Sequence, residues 1–368
     1  MKKAGILTYH SAHNYGAVLQ AYALQEAIKE SGFDAEFVHF HSLRRERKNR
    51  RKVKIRRLRD LPKLANKLIF GRKLTQRFNS FEEFIGKKLL ISKRYETPES
   101  LKVSPPEVDV LVCGSDQIWN LEQGGSPVFF LEFKSAETPS FSYAASFGHA
   151  VIEAKHSEKV KRWMQNFDLL SVREDSAKVE LEKLIPDPIE HVLDPVFLHS
   201  REFWEKCETK PTISGDYIFF YSLEVTPKVS QTVAEISKML KMPVVVVGKP
   251  GKFLFSCRTI IRIDTGPDEF LGLLSHAKMV VTNSFHATAF SILFGVPFLT
   301  VAHSHRNTRM ESLLAMAGQT RRLLANESSA TDWTKEELLN LDADIAAGLA
   351  KEIEKSKQFL KKGLALAL

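Results

Sequence analysis

Two side chains in this sequence stand where they could do chemistry: His286, in Thr282-Asn283-Ser284-Phe285-His286, and Arg173, in Ser171-Val172-Arg173-Glu174. An imidazole titrates near neutral pH, so His286 can hand over a proton or hold an anion. A guanidinium is a planar fork of donors that matches a carboxylate or a phosphate. An anionic substrate that must be protonated would use both. Each also has a plainer reading: a histidine that caps its own turn, and an arginine paired with Glu174 or Asp175 at the surface.

The flanking residues say what must position them. Met279-Val280-Val281 is an apolar, β-branched run, and Phe285 to Phe294 is an apolar helical segment closed by Gly295 and Pro297. That is a buried parallel strand, a turn and a helix, with His286 in the helix's first turn. Backbone N–H groups there lack internal partners and attract anions. Leu169–Val172 is a strand that ends at Arg173, with a helix from Ser176.

The same pattern recurs along the chain. Gly5–His10, helix Ala17–Lys29 closed by Gly32, and Ala35–Phe40 form a β-loop-α-β unit, which implies a parallel sheet. Asp109–Cys113 runs into Gly114-Ser115-Asp116-Gln117-Ile118-Trp119-Asn120, Phe141–Ala145 into Ser146-Phe147-Gly148, and Val192-Leu193 into Asp194-Pro195. Ligands of open α/β sheets gather outside the strand carboxyl ends. This nominates Asn14, Tyr15, Gly16, Gly114, Ser115, Asp116 and Ser146 as the lining of a cleft.

Lys206–Asp216, with Pro211 and Gly215, reads as a hinge. A second series follows: Tyr217–Leu223, Lys228–Leu240, Val244–Val247, Ile260–Ile263, Asp268–Ala277, the stretch around His286, and Phe298–Val301. Helices are expected over Asn307–Ala317 and, as one long element, Lys335–Leu366. The expected class is α/β, with two Rossmann-like domains, 1–205 and 206–333, facing a cleft, and 334–368 as a long C-terminal helix packing back.

Composition narrows the function. Of 368 residues, 43% are hydrophobic and 26% charged, as in ordinary globular proteins. No apolar run approaches the ~20 residues of a membrane span, and the apolar part of Met1–Thr8 is too short for a signal peptide. Cys113, Cys207 and Cys257 include no CxxC pair, which argues against a disulfide framework or a zinc site and fits the cytoplasm. Arg44–Arg59 holds eleven Lys/Arg and one Glu, more than the whole chain's net +9, so the rest is close to neutral. Such a block reads as an exposed arm. Its best partner is an anionic membrane face, where each basic side chain adds ~1 kcal/mol. Nucleic acid has no accompanying motif. The sequence has no P-loop, no GxGxxG after a strand, no HExxH and no GxSxG. His303-Ser304-His305-Arg306 offers a His-x-His pair without a carboxylate or cysteine beside it, so no metal site is expected.

Six motifs, in this order, resemble the polysaccharide pyruvyl transferase family: Asn14-Tyr15-Gly16-Ala17-Val18-Leu19-Gln20-Ala21-Tyr22-Ala23-Leu24; Gly114 to Asn120; Tyr143-Ala144-Ala145-Ser146-Phe147-Gly148; Ser171 to Glu174; Leu193-Asp194-Pro195; and Thr282 to His286 with Phe290-Ser291-Ile292. The resemblance runs from about residue 5 to residue 317. It implies a fold similar to GT-B glycosyltransferases, with 1–205 as the acceptor side and 206–333 as the donor side. It implies transfer of a pyruvyl group from phosphoenolpyruvate to two hydroxyls of a sugar, giving a cyclic ketal and phosphate, with no cofactor. His286 then falls on the expected general acid and Arg173 on the ligand of the donor's anionic groups, with Asn283 and Ser284 beside the donor. Some members carry an arginine two residues before the histidine, where this chain has Ser284. Arg309, in Asn307-Thr308-Arg309, is expected to supply that cation, with Asn307 also beside the donor. Others carry an acidic residue where this chain has Ala17. The acceptor's form (free, nucleotide-linked or lipid-linked) stays open. The alternatives are a nucleotide-sugar-dependent GT-B glycosyltransferase, and a non-catalytic binder of anionic surfaces built on 44–59.

Overall fold

The computed structural model describes residues 1–40, 61–122, 126–248, 256–304, 307–341 and 345–368. The basic arm 44–59 and His305 lie outside them. The first half contains β1 (Lys3–Leu7), α1 (Tyr15–Glu30), β2 (Asp34–Phe40), α2 (Leu61–Lys88), β3 (Ile91–Tyr95), α3 (Pro98–Val103), β4 (Val110–Cys113), β5 (Ser140–Ser142), α4 (Ala154–Met164), β6 (Leu170–Val172), α5 (Asp175–Glu182) and β7 (Ile189–His191). Its sheet runs β3-β2-β1-β4-β5, every pair parallel. β6 and β7 pair with each other and join the edge through single bridges, Phe141 to Leu169 and Ala145 to Val172.

After α6 (Arg201–Glu205), the second half contains β8 (Ile218–Tyr221), α7 (Pro227–Leu240), β9 (Val244–Val247), β10 (Thr259–Arg262), α8 (Pro267–Ser275), β11 (Met279–Thr282), α9 (Phe285–Phe294), β12 (Phe298–Val301), α10 (Thr308–Met316) and β13 (Leu323–Leu324). Its parallel sheet is ordered β10-β9-β8-β11-β12-β13, the strand order of a Rossmann fold. Both faces of such a sheet are covered by helices, so its strands are apolar throughout. All four valines of β9 are buried, each contributing about 1.5–3 kcal/mol relative to exposure. The strand order reverses beside β1 in the first half and beside β8 in the second, and the loops after β1, β4, β8 and β11 lead from those points.

One hydrophobic core runs through both halves. Tyr15, at the start of α1, stacks on Phe270 with ring centroids 4.3 Å apart and donates its hydroxyl to the Thr265 carbonyl at 2.9 Å. The C-terminal region is two helices, α11 (Lys335–Leu339) and α12 (Ile345–Leu364), not the single helix expected from the sequence. The break has a local cause. The guanidinium of the buried Arg322 donates to the carbonyls of Glu337 and Asn340, and Asn340 is extended at φ −98°. The guanidinium supplies donors to carbonyls that a helix end leaves without partners. α12 then packs on the first half, where Phe359 meets Phe141 and Ser356 Oγ accepts from the Leu193 N–H at 2.9 Å.

Candidate active site

The buried strand β6 leads directly to Arg173, whose side chain is 1% exposed. Its Nη1 donates to Asp194 Oδ2 at 2.6 Å and to Ser115 Oγ at 3.3 Å, and Ser115 Oγ donates to the same carboxylate oxygen at 2.9 Å. Asp194 owes its position to the Asp-Pro step. It caps the 3-10 turn Pro195–Leu198, with Oδ1 accepting from the Val196 N–H at 3.2 Å, which leaves Oδ2 for Arg173. Ser115 is fixed by its loop: Asp116 sits at φ +75°, and its carbonyl accepts from the Ser146 N–H at 3.1 Å.

The second half contributes its share from α9. Ser284 caps this helix, and the first turn carries Phe285 under the Arg173 guanidinium, 4.4 Å from ring centroid to Cζ. His286 Nε2 lies 3.5 Å from Asp194 Oδ2. The other ring nitrogen faces the start of α1. A Cβ built on Gly16 would lie 2.0 Å from His286 Nδ1, so only glycine permits this approach. Gly16→Ala should therefore push the imidazole aside. A displacement near 1 Å costs about 10²-fold in rate, with little change expected in thermal unfolding. An unchanged kcat in that variant would contradict the placement of the ring.

Three carboxylates surround Arg173. Besides Asp194, Asp116 Oδ1 is 3.9 Å from Nη2 and Glu174 Oε1 is 4.0 Å from Nε. Burial alone would raise the Asp194 carboxyl, but the His286 ring beside it and the charge and hydrogen bond of Arg173 outweigh it and hold Asp194 well below the usual range. Glu174 goes the other way. Burial raises it, and Arg173, Ser146 and Arg309 offset only part of that. Glu174 Oε1 accepts from Ser146 Oγ. Arg173 Nε and Nη2, Glu174 Oε2 and His286 Nε2 are buried and meet no hydrogen-bond partner among the described residues. Nε and Nη2 form one edge of the guanidinium, the edge that grips a carboxylate or phosphate side-on. Unmet buried polar atoms are costly, and a cluster of them marks where a ligand's polar groups belong.

Arg309 reaches this place from α10. With the Gln117 amide oriented so that its oxygen faces donors, that oxygen accepts from Arg309 Nη1 at 2.8 Å and Nη2 at 2.6 Å. Other nominated side chains serve the scaffold. Asn283 ties down the loop after β8, accepting from the Leu223 N–H at 2.8 Å and donating to the Glu224 carbonyl at 2.7 Å. Asn307 spans the N–H and carbonyl of His303, Asn14 caps α1, and Tyr15 joins the halves. Gly114 lets Leu24 of α1 pack against the loop, since a Cβ there would lie 2.6 Å from Leu24 Cδ2. His303 Nδ1 lies 3.1 Å from Glu224 Oε2. No group of three or more potential metal ligands occurs among the described residues. Asp194, Glu174 and Gln117 were not nominated from the sequence. The signal for Asp194 was its Asp-Pro step at a strand end, which reads equally as a plain cap.

A family model described as polysaccharide pyruvyl transferase matches residues 14–305. No curated protein sequence matches the chain. Among solved structures, the chain is similar to the UDP-N-acetylglucosamine 2-epimerase of Rickettsia bellii, with TM-score 0.59 and 11% identity over 100% of this chain and 95% of that one. It is also similar to the UDP-GlcNAc 2-epimerase of Methanocaldococcus jannaschii (TM-score 0.55, 13% identity, 98% and 100% covered). A third is AviGT4, a glycosyltransferase involved in avilamycin A biosynthesis (TM-score 0.55, 10% identity, 100% and 98% covered). At such identities the likeness shows the fold, two Rossmann-like domains of GT-B type. The family match spans most of the chain and includes Arg173 and His286: the protein belongs to the polysaccharide pyruvyl transferase family.

Proposed function

We propose that this chain moves a pyruvyl group from phosphoenolpyruvate to two hydroxyls of a hexose in a polysaccharide or glycan precursor, forming a cyclic ketal and releasing phosphate. The observation that carries this reading is the unspent Nε–Nη2 edge of the buried Arg173, next to a histidine nitrogen that no hydrogen bond holds. Phosphoenolpyruvate is small, multiply anionic, and becomes reactive when its methylene carbon takes a proton. Arg173 binds its carboxylate or phosphate side-on, and Arg309 adds the second cation. His286, through Nε2 on the Arg173 side, protonates the methylene carbon, and cationic character develops at the neighbouring carbon. The Asp194 carboxylate lies beside that nitrogen, with Oδ2 3.5 Å away. One sugar hydroxyl adds at the cationic carbon, and the second displaces phosphate to close the ring. The scheme calls for no cofactor or metal, and the cytoplasm, which the three free cysteines fit, is the proposed compartment.

Arg173→Lys tests the donor assignment. Lysine keeps the charge and loses the fork. Hydrogen bonds to charged groups are worth about 1.5–3 kcal/mol, so phosphoenolpyruvate should bind about ten- to a hundredfold more weakly by calorimetry. Equal affinity in the two proteins would overturn the role given to Arg173.

A further inference from the structure

We propose that Glu174 is a second proton carrier in this site: it holds a proton while the donor is bound and delivers it to the departing phosphate. This rests on the pyruvyl-transfer reading and adds a residue to it. The argument begins with charge. Asp116, Glu174 and Asp194 all lie within 4.0 Å of the single guanidinium of Arg173. A multiply anionic donor laid along the Nε–Nη2 edge would face Glu174, whose Oε1 is 4.0 Å from Nε. Two anions that close repel strongly in a water-poor site, so one of the carboxyls must carry a proton.

The surroundings single out Glu174. Asp194 is bound by Arg173 and Ser115 and lies beside His286, all of which favour its ionised form. Asp116 is partly exposed and accepts from the Gln117 N–H at 2.8 Å. Glu174 is 1% exposed, receives one bond from Ser146 Oγ, and has an Oε2 with no partner among the described residues. The charged groups facing it are Arg173, from its own strand end, and Arg309, from α10. Burial raises its carboxyl in spite of both, the direction that favours the protonated form.

The stoichiometry supplies the task. After the first addition, the first hydroxyl's proton passes to solvent, and His286 is neutral, having given its own proton to the methylene carbon. The substrate carbon carries the new methyl group, the phosphate ester, the carboxylate and one sugar oxygen. The bond from that carbon to the ester oxygen breaks, and its electron pair leaves with the phosphate. Glu174 transfers its Oε2 proton to that oxygen and becomes a carboxylate. The second sugar hydroxyl bonds to the carbon and gives its proton to His286, restoring the imidazolium. Glu174 is reprotonated from solvent as phosphate departs.

Glu174→Gln tests this, because the amide keeps the shape and can accept from Ser146 but has no acidic proton. Methyl glucoside, galactoside and mannoside serve as acceptors, and the one giving fastest phosphate release in the wild type is used. The variant should bind phosphoenolpyruvate as well as the wild type or better. Its kcat should fall about 10²–10⁴-fold, and a phosphate-bearing adduct of donor and acceptor should accumulate in rapid-quench samples. A kcat within a few-fold of wild type with no accumulated adduct would overturn the role of Glu174. Should the wild type itself release no phosphate with any acceptor, the pyruvyl-transfer reading fails, and this proposal with it. If His286→Ala loses turnover and Glu174→Gln does not, only the Glu174 assignment is overturned.

Discussion

His286→Ala is expected to lower kcat by about 10²–10⁴-fold while leaving phosphoenolpyruvate affinity within a few-fold of wild type. The split between the two quantities follows from the geometry. The donor's anionic groups are assigned to Arg173 and Arg309, which alanine at position 286 does not touch directly. The proton for the methylene carbon is assigned to His286, since Asp194 beside it is held well below the usual carboxyl range and stays ionised. Steady-state phosphate release and calorimetric donor binding, measured on the same preparation, give both numbers. Turnover within a few-fold of wild type would remove the assigned role. A parallel loss of donor affinity would instead make His286 a binding residue.

Asp194→Asn should have the largest effect on stability. The buried carboxylate meets the Arg173 guanidinium at 2.6 Å, with both side chains at most 1% exposed. Removing one charge of a buried pair costs about 3–5 kcal/mol, and the lower end applies here because Asp116 and Glu174 stay within 4.0 Å of the guanidinium. The sign with pH follows from linkage. Asp194 titrates lower in the folded chain than in the unfolded one, so its contribution is complete above the unfolded value, about pH 4, and is lost as pH falls below it toward the folded value. Denaturant unfolding at pH 7 should show the full difference between wild type and variant, and the difference should shrink below about pH 4. A gap under about 1 kcal/mol at pH 7, or one that does not change on acidification, would contradict the ion-pair account. Catalysis should fall too, because the variant loses the negative charge beside His286.

The α/β class and the parallel sheets were legible because the central strands are apolar runs with turns at their ends. Val244–Val247 and Phe298–Val301 are strands over the very residues expected. Elements escaped where local signals are weak. β3, Ile-Ser-Lys-Arg-Tyr, is an edge strand with exposed charged residues, and β13 has only two residues, too few for any periodic pattern. Val192 and Leu193 read as a strand, yet β7 lies earlier, at Ile189–His191, although the Val192 N–H still donates to the Val172 carbonyl. The break after α11 was hidden because its cause, Arg322, is 15 to 18 residues away from the carbonyls it holds.

In the site, residue type and motif order brought out His286 and Arg173, and the family arginine replaced here by Ser284 brought out Arg309. Asp194 could not be found that way. Its contacts with Ser115 and Arg173 span 79 and 21 positions, and only the fold brings them together. Glu174 beside Arg173 looks in sequence like a surface ion pair, whereas both side chains are 1% exposed. Asn283 and Asn307 were nominated by proximity to the motif, and their amides turn out to be engaged with backbone.

The most direct test of the central claim is phosphate release by the purified wild-type chain, given phosphoenolpyruvate and a panel of methyl hexosides, with mass analysis of the sugar product. The account predicts phosphate release that requires both substrates, and a sugar product carrying one pyruvyl group joined through two oxygens. A chain that neither binds nor consumes phosphoenolpyruvate, but consumes a nucleotide sugar with the same acceptors, would contradict it.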